Sequence, residues 1–328
     1  MKTTHPAFSM FALLLSLPMG LALANPVDES LVQEVVVGGT PAGADLAAAT
    51  FSLERVLLEQ PDLKLQGCSG TLIAKDIILT AAHCLHENKA VGLFVKVKNP
   101  RDGSHLRIEV IQSFAHPEYQ LAKVGGSDVA RHDIALLKLK SPVPGGRPAL
   151  LPREDFRIAD GTAVVAAGFG ISDKKLSEAE LLADPEVIAI REKLKKPNLT
   201  EKQKTALVLQ LYTAAAKRPL LRGDLRASIR DNQYGGLPYL RLEGKQIICS
   251  GDSGGPSYII HENRLVVVGV HSTGTMPDEI CEDPSKDKSI WEKWKLGQRD
   301  HFASDVYVPY YVNWIHESMA KLRRTQDL

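Results

Sequence analysis

The chain has 328 residues, enough to bury one or two ordinary cores. Its 40 basic and 39 acidic side chains leave a net charge of +1, and no basic patch is interleaved with aromatic residues, so the electrostatics argue against nucleic acid as a partner. Four cysteines, an even count, suit two disulfides in an oxidising compartment, and the lack of any C-x-x-C pair argues against a zinc site, so no metal is expected.

Met1-Lys2 opens an apolar run that includes Phe8 to Leu17 and continues to Leu23. Pro18 and Gly20 interrupt it, so it lacks the roughly 20 uninterrupted apolar residues of a membrane span. Ala22-Leu23-Ala24 has the small-x-small form of a signal-peptidase site. Residues 1–24 are therefore expected to be a cleaved secretory signal, and no later stretch qualifies as transmembrane. Residues 25–35 are short and acidic and precede Val36-Val37-Gly38-Gly39.

From Thr50 to Leu150 short β-type runs alternate with turns: Phe51 to Val56, Gly70 to Ile73, Ile77 to Thr80, Gly92 to Val97 and Leu106 to Gln112. Repeated short strands predict an antiparallel barrel. His83 lies in Thr80-Ala81-Ala82-His83-Cys84, and Asp133 opens the apolar strand Ile134 to Leu139. His116, Asp128 and His132 read as loop residues. Ser141 to Pro148 is rich in Pro and Gly and reads as a connecting stretch. Thr162 to Gly170 reads as a further strand.

Residues 171–224 read as helix. Ser177 with Glu180 and Thr200 with Gln203 fit capping boxes, and Asp184-Pro185 fits an N-cap followed by proline at the first helical position. Ala206, Leu207, Gln210, Leu211, Ala214 and Ala215 fall on one face at helical spacing. An inserted helical hairpin is expected. Strands resume near Leu225, at Arg226 to Arg230, Tyr239 to Leu242, Ile247 to Cys249 and Arg264 to Val270. Residues 276–302 are charged and carry no assignable role. Asp305 to Val308 reads as a last strand, and Tyr311, Trp314, Ile315, Ser318 and Leu322 as the apolar stripe of a terminal helix.

The octapeptide Cys249-Ser250-Gly251-Asp252-Ser253-Gly254-Gly255-Pro256 bears the chemistry. A serine hydroxyl is a poor nucleophile and needs a base and an oxyanion trap. Gly251 and Gly254 permit backbone angles that aim the amides of Gly251 and Ser253 at one point.

With Gly67-Cys68-Ser69-Gly70, the His83 motif, His132-Asp133-Ile134-Ala135-Leu136-Leu137 and this octapeptide in that order, the chain resembles the trypsin/chymotrypsin-like serine proteases. The match runs from about Val36 to the C-terminus, interrupted by 171–224 and 276–302. The resemblance implies an all-β fold of two antiparallel six-stranded barrels, the first at about 36–150 and the second at about 155–308, closed by a C-terminal helix. It implies a triad of Ser253 as nucleophile, His83 as base and Asp133 as its orienter, with Ser272 supporting Asp133. It implies disulfides Cys68–Cys84 and Cys249–Cys281. It also implies that residues 25–35 are a propeptide, and that the amine freed at Val36 turns inward to pair with Asp252. Val35 stands where trypsin-like activators need Lys or Arg. Ile247 falls on the pocket floor, with Ser272, Thr273 and Gly274 along the wall. Thr273 replaces the usual Trp, and Asp305 replaces a wall Gly. Ile247 favours an apolar or mixed first subsite, whereas Asp305 would receive a basic side chain unless it has another partner. The expectation is a monomeric, secreted or periplasmic endopeptidase acting on polypeptides, without cofactor or membrane anchor. The rivals are a silent homologue that serves as a binding module and a protease locked as zymogen until a partner arrives. A third, a PDZ-bearing quality-control protease, would need a peptide-binding domain that the sequence does not contain.

Overall fold

The computed structural model describes residues 40–324, apart from 58–59, 86–89, 100–103, 125–126, 171–177, 202, 206, 209–210, 212–219, 232–236, 245–247 and 275–302. The expected signal (1–24), the propeptide (25–35), Val36, Ile247 and Cys281 lie outside the described residues.

The first barrel is closed by six antiparallel strands. They are β2 (Thr50–Leu57), β3 (Gln60–Ala74), β4 (Ile77–Thr80), β5 (Ala90–Lys98), β6 (His105–Ala115) and β9 (Ala135–Leu139), in the ring order β2-β3-β4-β9-β6-β5. Apolar β-branched and leucine-rich runs give strands buried on both faces, as in β4 and β9, where every residue is buried. Ile78 pairs with Leu137 and Leu79 with Leu136, which anchors the start of β9, and with it Asp133, against the end of β4, just before His83.

The second barrel comprises β10 (Thr162–Gly168), β11 (Leu221–Asp231), β12 (Pro238–Glu243), β13 (Pro256–His261), β14 (Arg264–Gly274) and β15 (Ala303–Tyr307), closed by the β11–β12 pairing. Its inner cluster includes Val164, Ala166, Leu225, Leu240, Leu242 and Val268. A separate cluster fills the first barrel and continues over the seam through Tyr258, Val267 and Val270 to the terminal helix, Val312–Arg324, whose Ile315 and Leu322 are fully buried.

Several expectations change at their edges. The two-residue strand β1 (Thr40–Pro41), which falls within the span expected for the first barrel, pairs instead with β11 of the second. Strand β11 starts at Leu221, inside the expected helical span 171–224. Leu221, Gly223, Leu225 and Ala227 are buried while the residues between them are not, and this period of two sets the strand. Ile248 and Cys249 form no strand, because the Cys249 amide and carbonyl are both taken up by Asp252 in a local turn. Asp128 is not in a loop: β7 (Gln120–Val124) and β8 (Ser127–Arg131) pair as a ribbon outside the first barrel.

A one-turn helix α1 (Ala44–Ala47) precedes β2; in the insertion, α2 (Glu178–Ala183) and α3 (Pro185–Leu194) precede helical residues between Glu201 and Leu211. Asp184 Oδ1 accepts the Val187 amide at 3.2 Å, and Thr200 and Gln203 exchange side-chain-to-backbone bonds as a capping box. Val187 and Ile190 of α3 pack with Leu207 and Leu211 in a small cluster of their own.

Candidate active site

The site lies where the two barrels meet. His83 sits in a single 3-10 turn, Ala82–Leu85, directly after β4, and the Cys68–Cys84 disulfide ties that turn to β3. Asp133 is buried, 1% exposed. Its Oδ1 accepts the His83 backbone amide at 2.8 Å, and its Oδ2 lies 2.7 Å from His83 Nδ1. Ser272 Oγ, from the other barrel, donates to the same Oδ2 at 2.6 Å. A β-bulge between His271 and Thr273 makes this possible: Ser272 is the unpaired extra residue of β14 and turns towards Asp133. Burial pushes the Asp133 carboxyl up, but the His83 bond and charge and the Ser272 hydroxyl outweigh it and hold the pKa below the ordinary value. A carboxylate so held keeps the His83 proton on Nδ1 and leaves Nε2 as the basic nitrogen.

Ser253 lies across the seam, half-buried. Its loop is fastened by the opposite barrel. The Ser69 amide donates to the Ser253 carbonyl at 2.8 Å, and Ser69 Oγ donates to the Gly251 carbonyl at 2.9 Å. Gly251 and Gly254 have φ of +96° and +77°, angles that side-chain-bearing residues rarely adopt. Among the described residues, the amides of Gly251 and Ser253 donate to no protein acceptor. Cys84 Sγ lies 3.8 Å from His83 Nε2 and 3.7 Å from the Ser253 carbonyl, so ring and loop flank one disulfide. No hydrogen bond joins Nε2 to the Ser253 hydroxyl among the described residues. Such bonds are commonly long before substrate arrives.

Asp252 is wholly buried beneath this loop. Its Oδ1 accepts the Gly170 amide at 2.7 Å and its Oδ2 the Cys249 amide at 3.0 Å. A Cβ on Gly170 would lie 2.4 Å from Oδ2, so glycine is required for this approach. Cys249 is disulfide-bonded.

The trypsin family model matches residues 55–286, more than half of the chain. The chain belongs to the trypsin family. This trypsin-family chain is similar to tryptase of Mus musculus, 27% identical over 317 residues, covering 94% of the chain and 98% of that protein. It is also similar to chymase of Cavia porcellus, 34% identical over 140 residues, covering 41% of the chain and 52% of that protein.

Of the wall residues expected for a trypsin-family pocket, Ser272, Thr273 and Gly274 end strand β14, and Asp305 lies on the neighbouring strand β15. Asp305 has found a partner. It pairs across the strands with His271, and its Oδ1 lies 2.8 Å from His271 Nδ1, with both side chains buried. Burial opposes a charge on His271. The Asp305 carboxylate and the nearby Asp252 outweigh it and raise the imidazole above its ordinary pKa. His271 was not singled out from the sequence, although a histidine ending the run Leu265 to Val270 is a buried polar group in need of a partner. Cys68, His83 and Cys84 also place donor atoms together, but the disulfide leaves no thiolate for a metal.

Proposed function

We propose that this member of the trypsin family is a serine endopeptidase, exported behind a signal peptide of residues 1–24 and made as a zymogen with residues 25–35 as its propeptide. His83 Nε2 takes the proton of Ser253 Oγ as the oxygen attacks the scissile carbonyl. The Gly251 and Ser253 amides receive the oxyanion, and imidazolium His83 returns the proton to the leaving amine. Water activated by the same nitrogen then releases the acyl group. The observation that carries this reading is the convergence of the His83 amide, the His83 ring and the Ser272 hydroxyl on the Asp133 carboxylate. A non-catalytic binding module has no use for three bonds that fix one imidazole tautomer.

Activation follows cutting before Val36, whose amine joins Asp252 beneath the oxyanion loop. Val35 makes the activator an aliphatic-specific protease or the enzyme itself. With Asp305 committed to His271, the first subsite takes apolar side chains, with Ile247 on its floor. Substrates are polypeptides, hydrolysed by the monomer without cofactor in the periplasm or outside the cell.

A fluorophosphonate probe tests the reading. Ser253 is labelled after removal of residues 25–35 and weakly before it, and S253A is not labelled in either form. Absence of labelling in the form beginning at Val36 would leave the silent homologue as the answer. A peptide library cut only after Arg and Lys would overturn the apolar first subsite.

A further inference from the structure

Ser69 stands in the body of β3, fully buried, at the seam between the barrels. It meets the later half of the chain at three points. Its amide donates to the Ser253 carbonyl at 2.8 Å, and its Oγ donates to the Gly251 carbonyl at 2.9 Å. The Phe169 amide donates to the same Oγ at 3.0 Å. An amide can only donate and a carbonyl only accept, so the one hydroxyl proton has one place to go. Thr80, which ends β4 three residues before His83, donates from Oγ1 to the Ser69 carbonyl at 2.8 Å. Gly254 rests on this pair: a Cβ there would collide with Thr80 Oγ1 and lie 2.5 Å from the Ser69 carbonyl oxygen.

We propose that Ser69 is a positioning residue for hydrolysis, its hydroxyl setting the aim of the oxyanion amides. Gly251 bears one of those amides, and its φ of +96° is one of several wells open to a residue without Cβ. Asp252 is held through its side chain by the Gly170 and Cys249 amides, but neither bond touches Gly251. The Ser69 hydroxyl takes the Gly251 carbonyl and so selects the well that Gly251 occupies. The Ser69 amide takes the carbonyl of Ser253, the residue that bears the second amide. Because Thr80 holds Ser69 in turn, both carbonyls are referred to the strand that leads into His83. Base, nucleophile and oxyanion donors then share one anchor. Donors aimed in advance cost no reorganisation as charge develops on the substrate oxygen. Such a role exists only if the chain is a protease, and so rests on that reading.

The form beginning at Val36 is compared with S69A and S69G, which delete the hydroxyl and keep the amide and carbonyl of residue 69. Each should lose about tenfold in kcat, the worth of roughly one hydrogen bond, with KM nearly unchanged. Loss of an oxyanion donor itself would cost about 10²- to 10³-fold. Two inhibitors separate positioning from mere stability. Ser253 Oγ adds to the carbonyl carbon of a peptide aldehyde, its proton passing through His83 to the former carbonyl oxygen, which then occupies the place of the oxyanion. The matching peptide alcohol has no carbonyl to attack. Aldehyde affinity should fall about tenfold in both variants while alcohol affinity stays at the native value. The acid limb of kcat/KM, which reports His83, should not move. A lowered melting temperature with an unchanged aldehyde-to-alcohol ratio makes the hydroxyl structural and overturns its positioning role. A shifted acid limb overturns it too, by placing the effect on the base, as does failure of both variants to fold. If the native form hydrolyses no peptide, the proteolytic reading fails and the role of Ser69 falls with it.

Discussion

Asp133 and Asp305 are both buried carboxylates facing an imidazole, yet they are built for different ends. Asp133 serves a half-exposed ring whose far nitrogen faces the seam, and its Ser272 bond comes from the other barrel. Neutralising it in D133N should lower kcat by about 10⁴-fold, the loss that follows when such a triad aspartate becomes an amide. S272A removes one of three bonds and should cost kcat roughly ten- to a hundredfold, as expected for a hydrogen bond to a charged group. Equal losses in the two variants would contradict this ordering. Asp305 serves a ring with no exposed face. D305N leaves a buried imidazole without its counter-charge and should destabilise the chain by about 3–5 kcal/mol, whereas the double replacement H271L/D305L should be much milder. Because the folded state raises the His271 pKa, its contribution is complete below the ordinary imidazole value of about 6.5. It is lost as pH rises through the raised value. Denaturant midpoints of the native chain should therefore fall over that rise, relative to the double variant. An unchanged difference across the range would refute the linkage.

Among the elements, the helical insertion stands apart because the apolar contacts of its described residues are its own. Val187, Ile190, Leu207 and Leu211 form a cluster distinct from both barrel cores. Replacing 173–219 by a short glycine-serine link should leave the melting temperature within a few degrees of the native value, a change of about 1 kcal/mol or less. The excision must stop before Leu221, where β11 begins. If the insertion restricts entry to the cleft, small peptides are cut as before while folded proteins are cut faster; unchanged rates on both would make it a decoration. Its helices were legible in the sequence because Asp184, Thr200 and Gln203 act on amides within three residues of themselves. Strand β1 was not legible, since two residues have no periodicity and only a distant edge recruits them. The β7–β8 ribbon escaped for a related reason: Lys123, Asp128 and Arg131 break the apolar alternation by which strands are recognised.

At the scale of the molecule, the candidate residues stand out in the sequence wherever a short motif carries them, as around His83 and Ser253. The His271–Asp305 pair was not, because its members lie 34 positions apart and meet only through strand register. The same holds for Ser69, whose grip on the serine loop spans 182 positions at Gly251.

That grip has a bearing on biosynthesis. As the chain is made from its amino end, the first barrel offers an imidazole and a carboxylate with no hydroxyl to activate. The later half brings the hydroxyl on a loop that Ser69 must fasten. Under the proposed proteolytic reading, cutting power needs both halves closed on each other as well as the cut before Val36, so the growing polypeptide carries no assembled site while its later half is still being made.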